Sequence, residues 1–207
     1  MAIQVNKAHY GARYLHAPRW FSYWLQIKSL KALSATSRSV LVVGVGDGVV
    51  PHYLQVSGWR VTTVDIAADL QPDQSGDVRT LPFTDEQFDL VLCAEVLEHL
   101  PWLDLPKALR EIKRVSKIGA VLSLPDARST LLDLSLKLPW LPRWEIFLKI
   151  ANWRYRVTNP QHHWELGRPG YALATVKKVI LDNGFAIDQD FTRRASPTIH
   201  FFILRKI

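Results

Sequence analysis

Apolar and polar residues follow two rhythms along this chain. From Val40 to Val43 four apolar positions run without a polar break, and a glycine follows. Such a run predicts a short strand buried on both faces, as in a parallel sheet. Leu90–Ala94 repeats it, Ala120–Pro125 does so with one serine, and Arg60–Asp65 predicts a further strand that ends in an acid. Between these runs the spacing becomes helical. Pro18 opens a helix over residues 18–33, with Trp20, Trp24, Ile27 and Leu30 in register. Val49–Leu54 starts another, and Leu105, Leu109, Ile112 and Val115 mark one side of a third, closed by Lys117-Ile118-Gly119. Ala172–Asn183 makes a fourth, with Gly184 as its cap. Phe185–Phe191 and Thr198–Leu204 predict two closing strands around Ser196-Pro197. Strands alternating with helices predict a doubly wound, parallel sheet.

Residues 126–170 break the alternation. Leu131–Leu138 fits a helix at 131, 134 and 138 and a strand at 132, 134, 136 and 138; the helix, ended by Pro139, is preferred. Pro142–Arg156 predicts a second helix, with Trp144, Phe147, Leu148 and Ala151 on one face. Residues 159–171 form a loop by their proline and glycine content.

The first strand runs into Gly44, Gly46 and Gly48, and a helix start follows. Glycines here let backbone approach a ligand closely, and a helix N-terminus offers free N–H groups. A dinucleotide fingerprint wants G-x-G-x-x-G; Val49 occupies its last glycine position. The second strand ends in Asp65, 19 residues after Gly46, close to the ~20 at which an acid meets ribose hydroxyls in nucleotide-binding α/β folds. The plainer reading of Asp65 is a helix cap or a solvated strand end.

Composition narrows the setting. With 207 residues, 48% hydrophobic and 22% charged, the chain suits one α/β domain rather than a disordered segment. Cys93 is the single cysteine, which excludes an intrachain disulfide. No apolar run approaches the ~20 residues of a membrane span, and Met1–Lys7 lacks a signal-peptide core. The net charge of +7 is uneven. Residues 1–38 carry +6 and residues 128–168 carry +4, and six of the eight tryptophans fall in these two segments.

The succession VLVVGVGDG, VTTVD, GDVRTLPF, FDLVLCAEVLEHL and ALREIKRVSKIGAVLSLP over residues 40–125 resembles the class I S-adenosylmethionine (SAM)-dependent methyltransferases, type 11 branch. The resemblance implies a single domain over 1–207: a doubly wound, mostly parallel seven-stranded sheet with an antiparallel C-terminal hairpin and a helical cap. The cap would comprise an N-terminal segment, 1–38, and a helical insert, 126–170. SAM is the implied cofactor. Gly44, Gly46 and Gly48 would wrap its methionine end, and Asp65 would hold the ribose hydroxyls with Ile66 beside the adenine. Asp77 would take the adenine amino group and the Val78 backbone a ring nitrogen. Ala94 and Glu95 would lie near the methionyl amine. Two departures stand out: Val42 where many members have an acid, and Asp47 in place of a small residue.

Candidates for a base that takes a proton from the acceptor are His99, beside the fourth motif, and His162, His163 and Glu165 in the insert loop. The plainer alternatives are a structural His99 and a clasp pinning the insert to the core. Their spacing is not that of a metal site, so no metal is expected. Tyr10, Tyr14 and Tyr171 are candidates to line the acceptor pocket, and aromatic packing is the plainer role for each. The acceptor is expected to be a small or lipid-like molecule, with an anionic one suited to the basic segments. Basic residues beside tryptophan also suit peripheral contact with an anionic membrane, so the chain is expected in the cytoplasm, at most peripheral to the inner membrane face. The rivals are an RNA methyltransferase, a non-catalytic SAM-binding protein and an NAD-dependent enzyme.

Overall fold

The computed structural model describes residues 10, 14–151 and 159–207. Helix α1 (Ala17–Leu33) leads into β1 (Ser39–Val43), α2 (Val49–Val56), β2 (Arg60–Asp65), β3 (Gln74–Ser75), β4 (Phe88–Ala94), α3 (Leu105–Val115) and β5 (Ser116–Pro125). The chain continues through β6 (Ser129–Leu136), β7 (Trp144–Ile150), α4 (Leu173–Asp182), β8 (Phe185–Arg193) and β9 (Ser196–Lys206). Seven strands form one sheet in the order β3-β2-β1-β4-β5-β9-β8. Pairing from β3 to β5 is parallel; β9 pairs antiparallel with β5 and with β8.

The apolar runs are buried on both faces, as expected. Val40 and Val42 of β1 join Leu90 and Leu92 of β4 against Tyr23, Leu30 and Leu33 of α1 and Val50 and Leu54 of α2. Leu41, Val43, Val91 and Cys93 point the other way, onto Leu109 and Ile112 of α3 and Val176 and Ile180 of α4. Helix α1 is thus part of the sheet's covering layer as well as a lining of its edge. The expected apolar stripe is only partly correct: Leu30 is buried, but Trp20 and Trp24 are about half exposed.

Three local expectations are corrected. Lys117-Ile118-Gly119 lies within β5 rather than in a turn, because it pairs with Arg205 of the neighbouring strand and with Leu90 of β4. Ser196-Pro197 begins β9, and the turn falls one step earlier, after Arg193. The helices expected at 131–138 and 142–156 are replaced, over the described residues, by the antiparallel ribbon β6–β7; residues 152–158 of the second lie outside the described residues. Both segments carry alternating apolar positions, 132/134/136 and 144/146/148, and each supplies the other's cross-strand partners. Pro139 and Pro142 in the connection disfavour continuous helix between them.

Gly119 has no room for a side chain: a Cβ there would lie 2.0 Å from the Leu204 carbonyl oxygen. Gly119→Ala must push β5 from β9, at a cost of ~1–3 kcal/mol. Thermal denaturation should show a fall of roughly 3–12 °C for a chain of this size; an unchanged melting temperature would contradict the packing.

Candidate active site

The strand order reverses between β1 and β4, and in such sheets ligands bind beyond the carboxyl ends of the strands at that point. A cleft opens there. Its floor is the ends of β1, β2 and β4, and its near wall is the N-terminal part of α1 with Tyr10 and Tyr14. Gly44, Gly46, Asp65, Ile66, Asp77, Val78, Ala94 and Glu95 all line it. Gly48 does not; it caps α2 in a left-handed conformation with φ of 77°.

The glycine loop is shaped from both sides. Gly44 has φ of 83°, and a Cβ on it would come within 2.5 Å of Val96. Gly46 has φ of 61°, and among the described residues only Tyr10 comes near its vacant Cβ position, at 4.0 Å. A ligand can therefore lie directly on this backbone. Asp65 braces the loop. Its Oδ2 accepts from the Val45 amide at 2.8 Å, and its Oδ1 accepts from the Ala67 amide at 2.8 Å. Each oxygen keeps a lone pair for a vicinal diol.

Asp77 has a partner that its expected role omitted. Arg79 donates to it from the backbone and from the guanidinium, at 2.6–3.2 Å. Those side-chain hydrogen bonds hold its carboxyl below the usual range despite partial burial. Asp47, in place of a small residue, accepts the Tyr23 hydroxyl proton at 2.7 Å and so ties the loop to α1. Arg19 of α1 reaches across to Glu95, whose backbone has φ of 56°. Burial pulls the Arg19 guanidinium down, but Glu95 outweighs it and holds the group above its ordinary range. Its Nε is buried without a hydrogen-bond partner among the described residues. Burial also pushes Tyr10 up to about 12, helped by Asp65 and Asp47, so the ring stays a neutral hydroxyl.

The four candidate bases separate. His99 lines the cleft. Its Nδ1 faces the Gln161 carbonyl at 3.2 Å, and a carbonyl only accepts, so Nδ1 is the donor of that bond. His162 packs edge-on behind His99, with ring centroids 4.9 Å apart, and is absent from the cleft wall. Its two nitrogens are engaged by Glu165 at 2.7 Å and by Asn159 at 2.9 Å. Glu165 is buried and His163 is exposed; the His163 amide donates to the Glu98 carbonyl. His162, His163 and Glu165 therefore do not face the cleft, and the insert loop meets the core as a clasp. Tyr171 also lies elsewhere, packed on Trp102 and Trp164.

Glu98 escaped the sequence reading. It is 1% exposed, and neither carboxyl oxygen has a hydrogen-bond partner among the described residues. Burial raises its pKa far above the usual carboxylate range, and Glu95 raises it further. Glu98, His99 and His162 have ligand atoms within 4.8 Å of one another, and these could meet a metal ion; that would displace the Asn159 or Glu165 bond to His162.

Residues 41–124 match the family model described as a methyltransferase domain. The segment from β1 to the end of β5 is thus similar to a methyltransferase domain. Ubiquinone biosynthesis O-methyltransferase from Bordetella parapertussis (strain 12822) is 30% identical over 145 residues, 56% of this chain and 59% of that protein. The chain thus spans about three-fifths of the length of that relative. The fold is that of a glycopeptide N-methyltransferase solved with S-adenosyl-L-homocysteine, at a TM-score of 0.61, 15% identity and 88% coverage of each chain. It is also that of magnesium protoporphyrin IX methyltransferase from Synechocystis PCC 6803, at 0.60 and 16%, covering 100% of this chain and 90% of the other.

The Glu98 proton should show in the stability of the fold. The folded state keeps a proton that an unfolded glutamate, near ~4.3, releases. Its contribution is therefore complete below the ordinary value and is lost as pH rises toward the raised one. Glu98→Leu removes this loss, so the difference in melting temperature between variant and wild type should move in the variant's favour from pH 5 to pH 9. A constant difference would contradict the buried, protonated carboxyl.

Proposed function

We propose that the chain is an enzyme that transfers a methyl group from SAM to a small-molecule or lipid-like acceptor. The carrying observation is the cleft at the β1/β4 reversal, where the left-handed glycines leave backbone bare beside the Asp65 carboxylate. When bound, SAM supplies a methyl carbon activated by its positively charged sulfur. The chain's part is alignment and proton removal. Gly44 and Gly46 receive the methionine end, and Glu95 its amine. Arg19, with its unpartnered Nε, suits the carboxylate of that end. Asp65 accepts the two ribose hydroxyls, Ile66 flanks the adenine, and Asp77 and the Val78 backbone read its polar edge. Tyr10 and Tyr14 close the cleft from the acceptor side and exclude water.

His99 acts as the base. As the acceptor hydroxyl forms its bond to the methyl carbon and the sulfur–carbon bond breaks, the hydroxyl proton passes to His99 Nε2. The O-methyl chemistry in the name of the Bordetella relative supports a hydroxyl acceptor. His162, Glu165 and Asn159 hold the insert loop, whose Gln161 carbonyl orients His99; they are positioning residues.

Two measurements follow. Asp65→Ala loses charged hydrogen bonds of ~1.5–3 kcal/mol each, so calorimetry should show affinity for S-adenosyl-L-homocysteine falling by roughly 10- to 150-fold. Unchanged affinity in the folded variant would remove the cofactor assignment. His99→Ala should lower kcat on the true acceptor by ~10²–10⁴ with product affinity and melting temperature nearly intact, whereas His162→Ala should lower the melting temperature first. Full turnover in His99→Ala would exclude it as the base.

A further inference from the structure

The β6–β7 ribbon has two unlike faces. Leu132, Leu134 and Leu136 lie opposite Leu148, Ile146 and Trp144, and all six side chains are exposed. The other face carries Asp133, Phe147 and Lys149 and looks back at the body. Lys149 pairs there with the buried Asp126 at 2.8 Å and donates to the Pro197 carbonyl at 2.6 Å. Arg194 pairs with Asp133 at 2.7 Å. These contacts fix which face is turned outward. At the far end, Trp140 is fully exposed between Leu138 and Leu141, with Lys137 and Arg143 on either side. No acid occurs from Leu134 to Trp144; Asp133 and Glu145 bound the stretch, and Glu145 lies 3.7 Å from Arg143.

We infer that this outward face docks the protein on a bilayer surface rich in anionic lipid. Three observations favour a bilayer. An isolated two-stranded ribbon is marginal in water, and an apolar face of this extent is a liability unless covered. A tryptophan at the apex with a cation on each side matches the membrane interface, where the ring sits among headgroups and the cations meet acidic lipid. The apex from Leu134 to Trp144 carries Lys137 and Arg143 and no acid, a charge complementary to such a surface and repulsive toward a second copy. Both edges of the ribbon leave backbone groups unpaired in the sheet, so it lies at headgroup depth and does not cross the hydrocarbon. Among the described residues no helix is long and apolar enough to cross a membrane. The stem of the insert is stitched beside the cleft by Leu166 to Pro125 and by His163 to Glu98, so docking brings the cleft's edge of the sheet toward the membrane. The inference deepens the lipid-like acceptor proposed above and rests on that reading only for its purpose, not for its geometry.

Co-sedimentation of the whole chain with two kinds of vesicle tests it: phosphatidylcholine alone, and phosphatidylcholine with phosphatidylglycerol. Two cations at the surface predict roughly tenfold or more tighter partition onto the anionic vesicles at low salt, weakened by added salt. The double variant Leu134→Asp/Ile146→Asp should lose this binding while its affinity for S-adenosyl-L-homocysteine, measured in the same samples, stays unchanged. That second readout separates failure of the surface from failure of the cofactor site. Equal, negligible sedimentation with both vesicles would overturn the inference, as would full binding by the double variant. A wild-type dimer in light scattering that the double variant converts to monomer would assign the face to a second copy and overturn it too.

Discussion

The Asp65 carboxylate is the constraint on which the rest of the cleft depends. Its two hydrogen bonds to the Val45 and Ala67 amides hold the loops after β1 and β2 in one relation. Those loops contain backbone polar groups at a sheet edge that helices do not cover, and such groups need partners. Asp65 supplies them while keeping acceptor capacity toward the cleft. The same bonds that stabilise the turn therefore fix the orientation of the Asp65 carboxylate at the cleft, so little ordering of it remains for binding to accomplish.

A second tie closes the cleft from the other side. Arg19 and Tyr23 of α1 reach Glu95 at the end of β4 and Asp47 in the glycine loop. Because Leu30 and Leu33 of α1 are buried against the sheet, the helix that delivers Arg19 is fixed by the core. Behind this wall, burial raises the Glu98 carboxyl well above its ordinary range, and the Gln161 carbonyl of the insert loop faces His99 Nδ1. The cleft thus has the glycine loop, Asp65 and Asp77 on one side and His99 on another, which fits the in-line transfer proposed for it.

The core from Val40 to Pro125 was legible because parallel strands and amphipathic helices write their periods directly into the chain, and because the glycines and Asp65 mark the loops. The cofactor half of the site was legible for the same reason: eight of its nine expected residues line the cleft. The insert was not. Leu131–Leu138 satisfies both periods, and its strand partner lies after a proline-bounded loop, so pairing decided what propensity could not. The matching alternation of Trp144, Ile146 and Leu148 was the available signal. Arg19 and Glu98 were missed for a different reason. Their roles come from burial and from partners 76 residues away in one case, which no local pattern encodes. The dense His162–Glu165 loop looked chemical, yet His162 and Glu165 bond each other and neither lines the cleft, whereas His99 does.

The central claim is that this cleft takes an adenosyl sulfonium rather than a dinucleotide. Titrating the unmodified chain in a calorimeter with S-adenosyl-L-homocysteine and, separately, with NAD addresses it directly. The account predicts a single saturable site for S-adenosyl-L-homocysteine and no measurable heat for NAD. Saturable NAD binding tighter than that of S-adenosyl-L-homocysteine, or no binding of the latter by folded protein, would contradict it.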